Sequence, residues 1–143
     1  MRKYSINTYV LIRNNKYVYK FLNAITIMQT PTEIMYWEIL PAIRSSFVFE
    51  MKEEHNLKQK EIAEVLGVTP AAISQYLNQK RGTYEFSKPF KEKIKISVLE
   101  ILSKKSTPFE ETNKLIAQFQ KSKDLCLICS HKNNLTNCTI CHQ

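Results

Sequence analysis

The sequence is poor in glycine and has no long apolar run. Only two of its 143 residues are glycine, Gly67 and Gly82, which disfavours an all-β fold with many tight turns and excludes a glycine-rich nucleotide loop. No stretch reaches the roughly 18 apolar residues that cross a bilayer. The apolar run at residues 9–12 is shorter than the roughly 7 residues that a secretory signal needs. We therefore predict a mainly helical, cytoplasmic protein that does not act at a membrane.

Positive charge exceeds negative charge, and the excess is uneven along the chain. The sequence has 21 lysine and arginine residues against 13 aspartate and glutamate residues, a formal net charge of +8. Residues 57–95 contain eight basic and four acidic side chains, a net charge of +4, whereas residues 31–56 have a net charge of −3. A local excess of this size favours a polyanionic partner for residues 57–95.

Residues 1–30 contain five basic side chains and no acidic one. Three interpretations of this extension stay open. In the first, Asn14 and Asn15 form the turn of a small β-hairpin. In the second, the extension is a disordered basic tail. In the third, the natural protein begins at Met28 or Met35.

Residues 30–56 are predicted to be helical. Thr30, Pro31 and Glu33 form a capping-box sequence, with proline in the first helical position. Pro41 is expected to kink this helix or to split it in two. Apolar residues recur at spacings of three and four, which define one helical face: Tyr36, Leu40, Ile43, Phe47 and Met51.

Residues 56–82 predict two short helices joined by a sharp turn. Asn56 and Gln59 have the spacing of a capping box, and Gly67 stands where the first helix must end with a positive φ. Thr69 is the expected N-cap of the second helix, and Gly82 is expected to end that helix. The predicted buried positions recur at helical spacing: Ile62, Val65, Leu66, Ile73, Tyr76 and Leu77.

This arrangement is a helix-turn-helix plan. The string Gln59…Ile62-Ala63…Leu66-Gly67-Val68-Thr69…Ile73-Ser74…Tyr76 resembles the Cro/C1-type (XRE) helix-turn-helix of transcriptional regulators. Together with residues 31–44 and a cysteine-rich end, it is similar to a group of small archaeal predicted regulators, over about residues 31–141. The resemblance implies that Gln59 contacts a DNA phosphate. Such domains usually bind two half-sites of double-stranded DNA, so we expect a homodimer.

The outward positions of the second helix are small or carry an amide, and none of them is acidic. Amide side chains pair with adenine in the major groove, and small side chains suit contacts with thymine methyl groups. We therefore predict that residues 70–79 lie in the major groove, while Lys80 and Arg81 neutralise phosphates. The predicted base-reading residues are Thr69, Ala71, Ser74, Gln75 and Asn78.

Two further helices are predicted after the motif. Ser87 begins the first, whose apolar stripe either completes the core or forms a dimer surface: Phe90, Ile94, Val98 and Ile101. Thr107 and Glu110 repeat the capping-box spacing and begin the second helix. We divide the chain into an N-terminal extension (1–30), a helix-turn-helix domain (31–105), a helical connector (106–124) and a cysteine tail (125–143).

All four cysteines lie in the tail, as two C-x2-C pairs separated by eight residues: Cys126, Cys129, Cys138 and Cys141. In a reducing compartment this pattern indicates one four-thiolate metal site, with each pair presented by a tight turn. Zinc and an iron–sulfur cluster need the same ligands, and the choice between them stays open. Residues 138–142 also match a haem-attachment motif, but without export we interpret that match as coincidental.

The leading prediction is an all-α, compact helical bundle with a helix-turn-helix that binds specific DNA sequences and regulates transcription. Its metal tail stabilises the domain or senses a signal. The alternative is a non-DNA interaction module whose cysteine tail docks on RNA or protein. An enzyme is not expected, since His55, His131 and His142 are the three histidines and no Ser-His-Asp, HExxH or phosphate-loop pattern accompanies them.

Overall fold

The computed structural model of the chain describes residues 29–136, and every regular element in this part is a helix, as predicted. Residues 1–28 and 137–143 lie outside the described part, so the three interpretations of the N-terminal extension stay predictions. The elements in chain order are α1 (Pro31–Ile34), a π-helical segment (Met35–Ile39), α2 (Leu40–Glu53), α3 (Gln59–Leu66), α4 (Pro70–Leu77), α5 (Lys88–Leu102), α6 (Pro108–Gln120) and α7 (Lys123–Asn133).

Helix α1 begins with the predicted capping box. The hydroxyl of Thr30 accepts a hydrogen bond from the Glu33 N–H at 3.2 Å, and the Glu33 carboxylate accepts one from the Thr30 N–H at 2.7 Å. The helix then continues through the π-helical segment into α2. The Leu40 N–H bonds to the Met35 carbonyl, and Pro41 follows directly. The expected interruption at Pro41 is therefore a change of helix type before the proline, and the helix is not split.

The π-helical segment changes which residues of the first helix are buried. Ile43, Phe47 and Met51 are buried as expected, but Tyr36 is 60% exposed, so its placement on the core face is wrong. A π-helical turn holds more residues than an α-helical turn. Residues within and before the segment therefore face a different direction from the one that a uniform 3.6-residue period gives. The core residues in this part are Ile34, Met35 and Ile39.

Helix α2 lies at the centre of the fold and contacts α3, α4, α5 and α6. The apolar stripe of α5 is buried in the same core cluster. Of the two interpretations of that stripe, the core interpretation is confirmed and the dimer-surface interpretation is wrong. Leu115 and Phe119 of α6 and Leu125 of α7 belong to the same cluster, so the described helices share one hydrophobic core.

The connection between α4 and α5 carries a cluster of aromatic rings. The Phe119 ring of α6 lies edge-on to Tyr84, Phe86 and Phe90, with ring-centroid distances of 5.9, 5.7 and 5.2 Å. Such contacts add about 0.5–1.5 kcal/mol each beyond the apolar area that they bury. This cluster therefore fixes the residues that follow α4 against the C-terminal helices.

Gly82 lies in this connection and does not end α4, contrary to the prediction. Helix α4 ends at Leu77, five positions earlier. Gly82 has a φ of +67°, and a Cβ atom placed there would lie 2.3 Å from the Pro41 carbonyl oxygen. The glycine is needed because the chain passes directly over the backbone of α2.

Helices α5 and α6 are joined by a buried hydrogen bond. The Ser97 hydroxyl donates to the Glu111 carboxylate at 2.6 Å, and both residues are buried. Burial acts to raise the pKa of Glu111, but hydrogen bonds from Ser97 and Ser106 and the charge of Lys114 outweigh it and hold that pKa below its ordinary value. Glu111 is therefore a buried carboxylate that is ionised and satisfied.

Candidate nucleic-acid interface

The turn between α3 and α4 has the predicted geometry. Gly67 adopts a left-handed conformation with φ 64° and ψ 36°, and the Val68 N–H bonds to the Ala63 carbonyl at 3.0 Å. Thr69 caps α4, because its hydroxyl accepts a hydrogen bond from the Ala72 N–H at 3.2 Å. Ala63 is 3% exposed, so a small side chain lies where the helices come together.

The start of α3 differs from the prediction by two residues. Lys58 is the N-cap, and its N–H donates to the Glu61 carboxylate at 2.6 Å. Asn56 instead has a positive φ of 55°, and the following N–H, that of Leu57, bonds back to the Met51 carbonyl. Asparagine tolerates this conformation, so Asn56 terminates the preceding helix and does not begin α3.

Helix α4 has a buried side and an exposed side. Ile73 is fully buried and Tyr76 is 6% exposed, as their helical spacing predicts. The predicted base-reading residues lie on the other side, and four of them are exposed: Thr69, Ala71, Gln75 and Asn78. Ser74, the fifth, is half-buried, and its hydroxyl accepts a hydrogen bond from the Asn78 amide at 3.2 Å.

No charged side chain occurs between Pro70 and Leu77, yet exposed cations precede and follow this helix in the sequence. Lys80 and Arg81 follow α4, and both are exposed. Neither takes part in an ion pair within residues 29–136. Gln59 is exposed at the first position of α3, where Lys58 and Lys60 flank it. An uncharged polar helix face between unpaired cations matches the chemistry of base edges between phosphate backbones.

The first cysteine pair lies on a helix, so the expectation of a tight turn is wrong for this pair. Cys126 and Cys129 are three residues apart within α7, Cys126 half-buried and Cys129 only 4% exposed. The Asn133 amide donates to the Cys129 carbonyl at 2.9 Å, and its nitrogen lies 3.6 Å from the Cys129 sulfur. Residues at this spacing share one helix face, and Cys129 also belongs to the hydrophobic core cluster.

The second cysteine pair, Cys138 and Cys141, lies outside the described residues. Within residues 29–136 no group of three or more metal-ligating side chains occurs, and His131 is exposed on α7. The donor set of this part is therefore half of the predicted four-thiolate site.

The same part of the chain contains no helix long and apolar enough to cross a membrane.

Comparison with known proteins assigns the central helices to a class. Residues 49–83 match the sequence model of a helix-turn-helix family. No curated protein and no solved structure matches the chain. The match spans the end of α2, both helices of the motif and the connection up to Thr83. The chain thus contains a helix-turn-helix of the Cro/C1 (XRE) type, as its sequence predicts.

Sequence reasoning missed one feature next to this motif. The start of α6 lies against the turn, where Phe109 and Pro108 line a cavity together with Gly67, Val68 and Arg44. These residues are far apart in the sequence, and no periodic pattern connects them. Phe109 is 76% exposed, which is unusual for an aromatic residue. The sequence does not show this, because the exposure of a side chain depends on the folded structure.

Proposed function

We propose that this protein is a transcriptional regulator that binds specific DNA sequences by inserting α4 into the major groove. The observation that carries the proposal is the outer surface of α4, which is exposed and uncharged and is followed directly by the unpaired cations Lys80 and Arg81. A helix that only faces water usually carries glutamate and lysine on its outer side. The helix-turn-helix match over residues 49–83 supports the same function.

The exposed side chains divide into two roles. Gln75 and Asn78 are the amides that would read bases, since an amide pairs bidentately with adenine, and each such pair contributes about 1–3 kcal/mol of discrimination. Ser74 holds the Asn78 amide at 3.2 Å, which limits the rotamers available to that side chain. Gln59, Lys80 and Arg81 would contact phosphates, and these contacts supply salt-sensitive affinity without sequence information.

Selection of bound duplexes from random sequence, followed by salt titration of the selected site, tests this proposal. We expect a defined recognition sequence. The slope of log affinity against log salt concentration is negative. Lys80→Gln and Arg81→Gln should each make it less steep by about 1, because each removes one phosphate contact. Lys121→Gln, which removes an exposed charge at the end of α6, is the matched control and should leave the slope unchanged. Failure to select any sequence would favour the non-DNA interaction module instead.

We also propose that the regulator acts as a homodimer through the outer face of α5. Ile96 and Leu99 are 57% and 52% exposed, three residues apart on the side of α5 opposite its buried stripe. Two copies of a helix-turn-helix reading half-sites one helical turn apart need such a contact. Ile96→Glu should convert the sedimenting species to a monomer and weaken binding to a two-half-site duplex. Leu127→Glu, at an apolar residue that is 69% exposed on α7, should change neither.

The predicted metal centre remains part of this proposal. Cys126 and Cys129 share a face of α7, and with Cys138 and Cys141 they would bind either zinc or an iron–sulfur cluster. Zinc would stabilise the tail, whereas a cluster would make it responsive to oxidation. Metal analysis of anaerobically purified protein distinguishes the two, and visible absorbance identifies a cluster. Cys126→Ser should lower the bound metal to a small fraction of the wild-type amount. A ratio below about 0.1 metal ions per protein chain in the wild-type protein would contradict the metal centre.

A further inference from the structure

A cavity of about 380 Å³ lies beside the turn of the helix-turn-helix. Its walls come from several elements, among them α2 with Leu40 and Phe47, the turn with Gly67 and Val68, and α6 with Phe109. Most of the lining is apolar. Pockets that bind small molecules typically measure about 300–1,000 Å³ and combine apolar walls with a few polar groups, so both the size and the lining fit a small ligand.

The cavity contains one cation and no carboxylate. Arg44 is the one charged residue among those that line it. Arg44 is exposed and takes part in no ion pair within residues 29–136. A second cavity of the described helices, about 390 Å³, has the opposite character, since four glutamates and two lysines line it: Glu50, Glu53, Glu54, Glu85, Lys91 and Lys95. Of these two cavities, the one at the turn is therefore the positively charged one.

One aromatic side chain that lines the cavity is largely exposed to solvent. Phe109 is 76% exposed although it lines the cavity. The neighbouring Asn113 amide is fixed, because its nitrogen donates to the Phe109 carbonyl at 3.0 Å. A ligand with an apolar body would remove the Phe109 ring from water, which contributes about 25 cal/mol per Å² of apolar surface covered.

We propose that this cavity binds a small monocarboxylate with an aromatic or aliphatic body. The carboxylate pairs with the Arg44 guanidinium, whose planar fork binds carboxylates bidentately. The apolar body lies between Phe109 and the turn. Such a ligand touches Val68 and also Tyr76, the residue next to Gln75. It is therefore placed to change DNA affinity, an effector role that rests on the function proposed above.

The two glycines of the chain make a direct binding test possible in the full-length protein. Gly67 lines this cavity, and Gly82 lines the second cavity, the one with four glutamates. Protein labelled with ¹⁵N only at glycine gives one amide signal from each. Phenylacetate, indole-3-acetate and hexanoate are titrated, each against its neutral primary amide. We expect the carboxylates to move the Gly67 signal in a saturable way while the Gly82 signal stays in place.

Two variants identify the cause of the shift. Arg44→Gln removes the cation at an exposed position and should weaken carboxylate binding about tenfold, since a charge-assisted hydrogen bond is lost. Lys52→Gln removes an exposed charge from the same helix outside the cavity and should leave the affinity unchanged. The proposal is overturned if no carboxylate moves the Gly67 signal, or if acids and amides bind equally well to the wild-type protein.

The effector role has a separate measurement. DNA affinity is compared with and without saturating phenylacetate, and we expect a change of threefold or more that Arg44→Gln abolishes. Binding of phenylacetate with no change in DNA affinity refutes the effector role. Absence of DNA binding without any ligand refutes instead the function proposed in the preceding section, so the two failures are distinguishable.

Discussion

The helix pairs α3–α4 and α5–α6 differ in how their two helices are joined and in the surface that they expose. The first pair is joined by a tight turn at Gly67, and the outer side of α4 is exposed and uncharged. The second pair is joined inside the core by the hydrogen bond from Ser97 to Glu111, and α6 contributes Phe119 to the aromatic cluster. The outer side of α5 carries exposed lysine side chains beside the exposed Ile96 and Leu99, in contrast to the uncharged outer side of α4.

Under the function proposed above, this difference separates stability from recognition. The second pair holds the fold, so substitutions in it should lower the free energy of unfolding and affect DNA binding only through the folded fraction. The first pair presents a surface, so substitutions on its outer side should change sequence preference at nearly constant stability. Substitutions in the two pairs show whether stability and sequence preference change independently.

Phe119→Ala should have the largest effect on stability. Phe119 is fully buried and contacts three other aromatic rings, and removal of a buried phenylalanine costs about 3–5 kcal/mol. Because Phe119 belongs to the same core as the helix-turn-helix, we expect one cooperative transition in urea at a lower midpoint. Two separate transitions, with the helix-turn-helix unfolding at its original midpoint, would show that α6 and α7 form an independent unit.

The two glycines should differ strongly when each is replaced by alanine. A Cβ at position 82 would lie 2.3 Å from the Pro41 carbonyl oxygen, whereas at position 67 nothing lies within 4 Å. Gly82→Ala therefore combines a steric clash with backbone strain, and we expect a loss of about 2–4 kcal/mol. Gly67→Ala carries the strain alone, about 1–2 kcal/mol.

Urea unfolding of both glycine variants measures this difference. Gly67→Asn serves as the control, because asparagine tolerates a left-handed conformation and should lose less than alanine. Equal losses for Gly67→Ala and Gly82→Ala would contradict the close approach of the connection to α2.

Glu111→Gln should have a smaller, pH-dependent effect. The hydrogen bond from Ser97 to a charged carboxylate becomes a bond to a neutral amide, which costs about 1–2 kcal/mol at pH 7. Since the pKa of Glu111 is lowered in the folded protein, its contribution is present above the unfolded pKa, about 4.3. That contribution is lost as the pH falls through the folded value.

Urea unfolding at a series of pH values measures the difference in the free energy of unfolding between wild type and Glu111→Gln. We expect this difference to be constant above about pH 5 and to disappear as Glu111 becomes protonated. Glu64→Gln, at an exposed residue of α3, is the control and should show almost no difference at any pH. A difference that widens on acidification would mean that the pKa of Glu111 is raised and not lowered.

Local signals in the sequence predicted much of the fold. The capping boxes at Thr30 and Thr107, the N-cap at Thr69 and the left-handed turn at Gly67 each depend on residues within three or four positions of one another. A short pattern of this kind contains all the atoms of the interaction. For the same reason the helix-turn-helix was predictable, because its spacing is set by one turn and two helices.

The errors have non-local or competing causes. Tyr36 is exposed because the π-helical segment shifts the helix register, which a uniform period does not show. Gly82 is constrained by Pro41, which lies 41 positions earlier in the sequence. The cavity around Arg44 joins helices that no sequence pattern connects. The exposure of Gln75 was predictable from the spacing of α4, whereas contact between any of the exposed residues and DNA stays a prediction.

The ratio of specific to non-specific DNA affinity in Gln75→Ala tests the central claim most directly. Gln75 is exposed on α4 and contributes no charge, so its replacement should leave non-specific binding intact. We expect the ratio for the selected site to fall about tenfold, because one bidentate base contact is lost. Glu64→Ala, at an exposed residue of α3 and not of α4, should keep the wild-type ratio. An unchanged ratio in Gln75→Ala, with wild-type affinity for the selected site, would contradict base reading by α4.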